Sequence, residues 1–292
     1  AANIAVISNP AANGTSVINE TLFNLTNNSV PVNYQITTTT PSGCSKTETI
    51  VVTVKPIPSL TSATPVPAIC SGATFNYTPQ SAATGAITWS RATLPGISEV
   101  GAAANGTISE ILTNTTLNPI TVRYVLTLPM LDGCSGPPQN IDVIVNPVPN
   151  VTPQSAQVLC EGDTFGINFV ATNTGGTSTF NWVNTNGNIG LAASGSGSIP
   201  TFTLLNTTTT DQNVDISVTP IFTNGGISCT GPTQIFSLTV NPKADVNQPA
   251  DQVVCNGSAT TAINFTTTNS NGTTTYAWSN DNTSIGLEIG RA

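Results

Sequence analysis

Six cysteines and a thin scatter of carboxylates are the side chains of this 292-residue chain whose types and spacing offer chemistry. The cysteines form two series that keep one beat. Cys70, Cys160 and Cys255 stand 90 and 95 residues apart, and so do Cys44, Cys134 and Cys229. A closed zinc site has no source, because there is no histidine, no Cys-x-x-Cys, and two cysteines per interval where four ligands are needed. Disulfides formed in an oxidising compartment are the expected chemistry. Pairing within each interval, Cys70–Cys134 and Cys160–Cys229, closes loops of 64 and 69 residues, each worth about 4 kcal/mol in the chain-entropy model. The rival scheme, Cys44–Cys70, Cys134–Cys160 and Cys229–Cys255, has a constant spacing of 26 and uses all six. The first is preferred, since a terminal strand of eight residues already spans roughly 27 Å and makes closure across a linker awkward.

The carboxylates promise less. Histidine-dependent triads are excluded by composition. Glu161 and Asp163 are alternate residues that would share one strand face, but the equivalent positions of other repeats hold Ser71 and Ala73, and Asn256 and Ser258. A glycosidase pair also needs its two carboxyl groups on either side of a cleft, so a solvated turn is the expected role and no catalytic residue is assigned. Glu161, Asp163, Asp245 and Asp251 lie near repeat junctions and are the candidates for a calcium site, although the dense Asp/Asn/Gly spacing of calcium loops is absent. No cofactor is expected. Trp89, Trp182 and Trp278 follow at intervals of 93 and 96. One per repeat, on an alternating strand, they read as core residues rather than sugar-stacking platforms. Threonine runs such as Thr37 to Thr40 and Thr207 to Thr210 are consecutive, not the Thr-x-Thr of a flat binding array, and read as exposed strand ends or loops. Sequons such as Asn114-Thr115-Thr116 are taken as products of composition.

That composition is unusual. Only 7% of residues are charged, against about 25% in an average soluble domain, and 50 Thr and 32 Asn supply the hydrophilic surface instead. Six Lys+Arg against 14 Asp+Glu give a net charge of −8. No basic stripe is available to meet phosphates, so neither nucleic acid nor anionic lipid is an expected partner. No run approaches the 18 apolar residues of a membrane span. The start lacks the basic stretch of a signal peptide, and the chain is read as a mature secreted product or a window of a longer one.

The elements that must position these residues come from self-similarity. Val54-Lys55-Pro56, Val145-Asn146-Pro147 and Val240-Asn241-Pro242 recur at 91 and 95 residues. They divide the chain into a C-terminal half repeat (1–56), two complete repeats (57–147 and 148–242) and an N-terminal half repeat (243–292). Ile7 to Thr15 aligns with Ile97 to Thr107, and Ile189-Gly190-Leu191 returns as Ile285-Gly286-Leu287. Within a repeat the apolar residues alternate, as in Thr121-Val122-Arg123-Tyr124-Val125-Leu126, and turn formers such as Asp132-Gly133 and Asn224-Gly225 separate the runs. About seven short strands per repeat with one central tryptophan predict an all-β protein of tandem immunoglobulin-like β-sandwich repeats, arranged end to end.

In combination, Cys-x-Gly at 70–72, 160–162 and 255–257, the tryptophan strand, Gly-Cys at 43–44 and 133–134, and a final strand ending Val-x-Pro resemble the PKD-like and Ig-like repeats of large secreted Bacteroidota surface proteins. Ser228-Cys229 departs from the Gly-Cys pattern. The resemblance implies an extracellular location, export by the type IX system, and a stalk or filament role in adhesion or gliding, with no catalytic residues. The implied partners are neighbouring repeats of the same or an identical chain, including a head-to-tail filament in which 243–292 of one copy completes 1–56 of the next, and surface glycans. The alternative reading is an accessory module, carbohydrate-binding in one version, of a secreted polysaccharide-degrading enzyme.

Overall fold

The computed structural model describes residues 17–282; the aligned stretches at 7–15 and 285–287 lie outside them. Within that range the chain is all-β, with seventeen strands and one 3-10 turn. It divides into two compact units. The first holds the chain up to Asn150 with two arms, Thr172–Ser178 and Ile221–Gly231, and the second holds Val151–Ala171, Thr179–Pro220 and the chain from Pro232.

The first unit opens with an antiparallel hairpin, β1 (Val30–Thr39) and β2 (Ser45–Val54), in register from Val30 opposite Val54 to Thr39 opposite Ser45. Val32 is buried, whereas Ile36, Ile50 and Val52 are exposed. A sandwich follows, made of β3 (Ile69–Cys70), β4 (Ala73–Tyr77), β5 (Thr88–Arg91), β6 (Ala102–Asn105), β7 (Ile108–Leu112), β8 (Ile120–Thr127) and β9 (Gln139–Asn146). One sheet runs β3-β9-β8-β5-β6 and the other is β4-β7. The period-2 pattern decides which side chains enter: along β8, Val122, Tyr124 and Leu126 are buried while Thr121, Arg123 and Val125 face out. Tyr124 is central, stacked on Phe75 at 5.3 Å and edge-on to Trp89 at 5.6 Å between ring centroids. Pairs of this kind add about 1 kcal/mol each beyond the area they bury.

The next repeat uses the same plan. Its strands are β10 (Gln157–Cys160), β11 (Thr164–Ile167), β12 (Thr177–Asn184), β13 (Ser194–Ser196), β14 (Ile199–Thr203), β15 (Gln212–Asn224), β16 (Ile227–Thr230) and β17 (Gln234–Asn241). The order β10-β17-β15-β12-β13 repeats that of the preceding sheet, with β11-β14 opposite. Trp182 lies over Gly195 on the neighbouring strand, where a Cβ would fall 2.2 Å from the indole ring. Here the glycine is required by close approach. Strand β15 is the long one. Gln212 to Val218 pairs with β17 in the second unit, while Ile221 to Asn224 pairs with β16 to form an arm of the first.

Trp89 and Trp182 are core residues, 6% and 5% exposed, but Trp278 is 59% exposed. The expectation that Trp278 is buried is corrected: residues 243–282 form no strand, and among the described residues no second sheet of that repeat covers the indole.

Candidate functional site

Two registers place the cysteines. In each sandwich the first strand runs parallel to the last, with Cys70 opposite Asn146 and Cys160 opposite Asn241. The opening cysteine therefore stands at the end of the repeat's final strand. The closing cysteine lies in the hairpin that precedes that strand, at its other end. Eight residues of β9 separate the two levels, roughly 27 Å, so Cys70 does not meet Cys134, nor Cys160 Cys229. The expected pairs are corrected: Cys70 is bonded to Cys229, 159 residues on, with 5.6 Å between their Cα atoms. Strand length, used in the sequence reading against closure across a linker, is instead what forbids closure within a repeat. Cys44, Cys134, Cys160 and Cys255 are free thiols.

The bond sits in a built joint inside the first unit. Asn224-Gly225-Gly226-Ile227 turns the β15–β16 arm with positive φ of 60° and 75° at its two glycines, the geometry of a tight hairpin that glycine accepts without strain. A Cβ on Gly225 would come within 3.0 Å of the Ala68 side chain. Beside it, Asn146, fully buried, donates from Nδ2 to the Asn224 carbonyl at 3.1 Å, and Asn224 Nδ2 donates to Asn146 Oδ1 at 3.0 Å. One repeat earlier the same place is held by Lys55, whose Nζ donates to the carbonyl of Asp132 at the tip of the next hairpin at 2.9 Å. A second contact also recurs. Thr174 N donates to Leu117 O at 3.2 Å and Asn173 Nδ2 to Val148 O at 3.1 Å in the first unit; in the second, Ser270 N donates to Thr209 O at 3.1 Å and Asn269 Nδ2 to Lys243 O at 2.9 Å.

A further asparagine clamps the end of each final strand. Asn24, Asn114 and Asn206 donate from Nδ2 to the carbonyls of Val54, Val145 and Val240 at 2.8, 2.9 and 2.7 Å, and to the carbonyl four residues on at 2.7, 2.7 and 2.9 Å. Each Oδ1 accepts from the backbone N–H and the hydroxyl of the threonine two residues later. All four positions of the amide are filled. The Asn-x-Thr triplets at 24, 114 and 206 are thus structural, not products of composition. Their signal was the 90- and 92-residue spacing, the beat of the repeat itself.

The carboxylates do not converge. Asp163 accepts from the Cys160 N–H at 2.8 Å, closing its own turn, and Asp245 accepts from Thr268 at 2.8 Å. Glu161 is half-buried and Asp251 exposed, and among the described residues no three acidic or cysteine side chains gather to hold a metal. The structure thus brings no three of the four calcium candidates together. The buried charge is elsewhere and escaped the sequence reading. Arg91, 4% exposed, donates to Glu110 from Nε at 2.9 Å and Nη2 at 3.2 Å, and to the Val100 carbonyl at 2.7 Å, while Tyr124 Oη donates to Glu110 at 2.7 Å. Burial pushes the Glu110 carboxyl up, but hydrogen bonds from Arg91 and Tyr124 and the charge of Arg91 outweigh it and hold it below the ordinary range. Burial, with the Glu110 hydrogen bond, raises the Tyr124 phenol above its usual value of 10.0. Two residues after Trp182 a polar side chain is locked in the same way: Asn184, at the place of Arg91, donates to the carbonyls of Asn186 and Leu191 at 2.9 and 3.2 Å. Such groups orient strands. They offer no open acid or base.

The fold and joint define a class, the tandem β-sandwich repeat protein with a covalent tie from one repeat to the next. More closely, the model of the PKD-like domain matches residues 67–149 and again 157–244, and the chain belongs to that family. No curated protein matches it. Solved structures similar to it include fibronectin(III)-like modules of Clostridium thermocellum CbhA, at 11% identity over 64% of this chain and 95% of that one, with a TM-score of 0.26. Rst D1-D2 is similar at 12% identity over 64% of this chain and all of the other, TM-score 0.33, and Drosophila N-cadherin EC1-3 at 14% over 74% and 78%, TM-score 0.25.

Proposed function

We propose that the chain is a tension-carrying spacer of a secreted cell-surface repeat protein, of the adhesin or gliding type that the sequence resembles. The observation that supports this most directly is the Cys70–Cys229 bond, which ties consecutive repeats where hydrogen bonds alone would be expected. PKD-like domains are typically extracellular and non-catalytic modules, and a disulfide needs an oxidising compartment. Among the described residues no helix is long and apolar enough to cross a membrane. Surface glycans, if bound, meet faces other than Trp89 and Trp182, whose rings are committed to the cores. The test is surface labelling. An antiserum raised against the 292-residue chain is expected to stain intact source cells and to lose its target on external protease treatment; staining only after lysis overturns the reading.

A further inference from the structure

We propose that the joint between Asn146 and the 221–231 hairpin is a clasp that assembles without sulfur and selects Cys229 as the partner of Cys70. Asn146, Asn224 and Gly231 are its positioning residues. The disulfide follows from their contacts rather than producing them.

The selection needs an agent, because chain entropy works against it. Cys70 has five other cysteines to choose from, and Cys44 lies 26 residues away against 159 for Cys229. Loop closure alone favours the nearer cysteine by about fifteenfold. Cys229 is nevertheless the partner.

Three contacts beside the sulfurs hold the hairpin. Asn146 and Asn224 exchange two hydrogen bonds. Gly231, two residues after Cys229, lies against the linker, where a Cβ would run into the Pro149 carbonyl oxygen. Phe222, directly opposite Cys229 in the β15–β16 register, is fully buried and covers Gly176, whose Cβ would run into its ring. Cys229 is thus fixed from its own rung, from its turn and from the residue two places on. Holding two reacting groups in place raises their effective concentration by far more than the entropic handicap.

The joint one repeat earlier is a control that the molecule itself supplies. Lys55 donates to the Asp132 carbonyl at 2.9 Å, and Ser29 Oγ to the Asp132 carboxylate at 3.1 Å. A Cβ on Gly136, two residues after Cys134, would fall 2.9 Å from the Pro58 carbonyl oxygen. Turn, linker contact and strand-end donor all recur, yet Cys134 is a free thiol. A hairpin of this kind therefore seats without a disulfide.

The covalent step is exchange with a low-molecular-weight disulfide. The Cys70 thiolate attacks oxidised glutathione and releases one glutathione thiol; Cys229 attacks the mixed disulfide and releases a second, so both cysteine protons leave on glutathione. The clasp does not rest on the spacer reading, and absence of surface staining would leave it untouched.

Two measurements on the 292-residue chain test it. In C70S/C229S, hydrogen exchange in peptides covering 221–231 is expected to keep the protection of the oxidised wild-type chain; loss of that protection overturns the proposal, because sulfur would then make the joint. In the second, chain reduced and unfolded in urea is diluted into a glutathione redox buffer and its linked peptides are mapped by mass. Wild type is expected to yield Cys70–Cys229 as the main product. N146A/N224A and G231V are expected to lower its share about tenfold relative to the Cys44–Cys70 link, with the buried emission of Trp89 and Trp182 retained. An unchanged product ratio in both variants overturns the clasp. So does a fall seen only where that emission is lost, since global unfolding would then account for the pairing.

Discussion

Asn146 and Asn224 exchange hydrogen bonds across the joint, each amide donating to the other residue at 3.1 and 3.0 Å, with Asn146 fully buried. Removing either leaves a buried polar group without its partner. N146A and N224A are each expected to cost about 2 kcal/mol in urea unfolding, and the double variant less than their sum, since the two share one interaction. Additive costs would show that the pair is not coupled.

The clamp at Asn114 fills two acceptor and two donor positions. N114D sets a carboxylate against the carbonyls of Val145 and Asn118 and is expected to destabilise by about 3 kcal/mol or more, exceeding N114A. T116V, which removes one hydroxyl bond, is expected to cost about 1 kcal/mol. Equal effects of N114D and N114A would remove the two carbonyl contacts from the account.

Pulling from the two ends sends force through the Cys70–Cys229 bond and around the 158 residues between them. Force–extension traces of the oxidised chain are expected to fall short of those of the reduced chain by about 500–570 Å of contour length. Equal contour lengths would place the cysteines in some other pairing.

The Arg91–Glu110 pair is buried on one side only, with side chains 1% and 16% exposed. R91M leaves Glu110 without its cation and is expected to cost about 3 kcal/mol. The Glu110 carboxyl is lower in the folded than in the unfolded state. Its contribution is therefore complete above the unfolded value near 4.5 and lost as pH falls through the folded one. Melting temperature between pH 7 and 3 is expected to fall more steeply for the wild-type chain than for E110Q. At the alkaline end Tyr124, raised above 10.0, contributes stability that is whole below that pH and declines above it.

The sandwich was legible because one face of each strand is buried: the alternation of Val122, Tyr124 and Leu126 specifies β8, and Asp132-Gly133 specifies a turn whose φ values of 51° and 83° are positive. Disulfide partners were not, because spacing reports that cysteines recur without saying at which end of a strand each stands. That depends on the parallel register of β3 with β9, a long-range pairing that no local pattern encodes. Asn114 was hidden for a different reason: in a chain with 32 asparagines and 50 threonines, a triplet carries information only when its place in the repeat is compared. Arg91, two residues after Trp89, shares the inward face of its strand, so the alternation itself places a cation inside, and only Glu110, Tyr124 and the Val100 carbonyl reveal why it is tolerated there.

A peptide bond hydrolysed anywhere between Cys70 and Cys229 does not release a fragment, because the cut ends stay joined through sulfur. A single protease nick between those two cysteines is therefore a local wound rather than a severed chain.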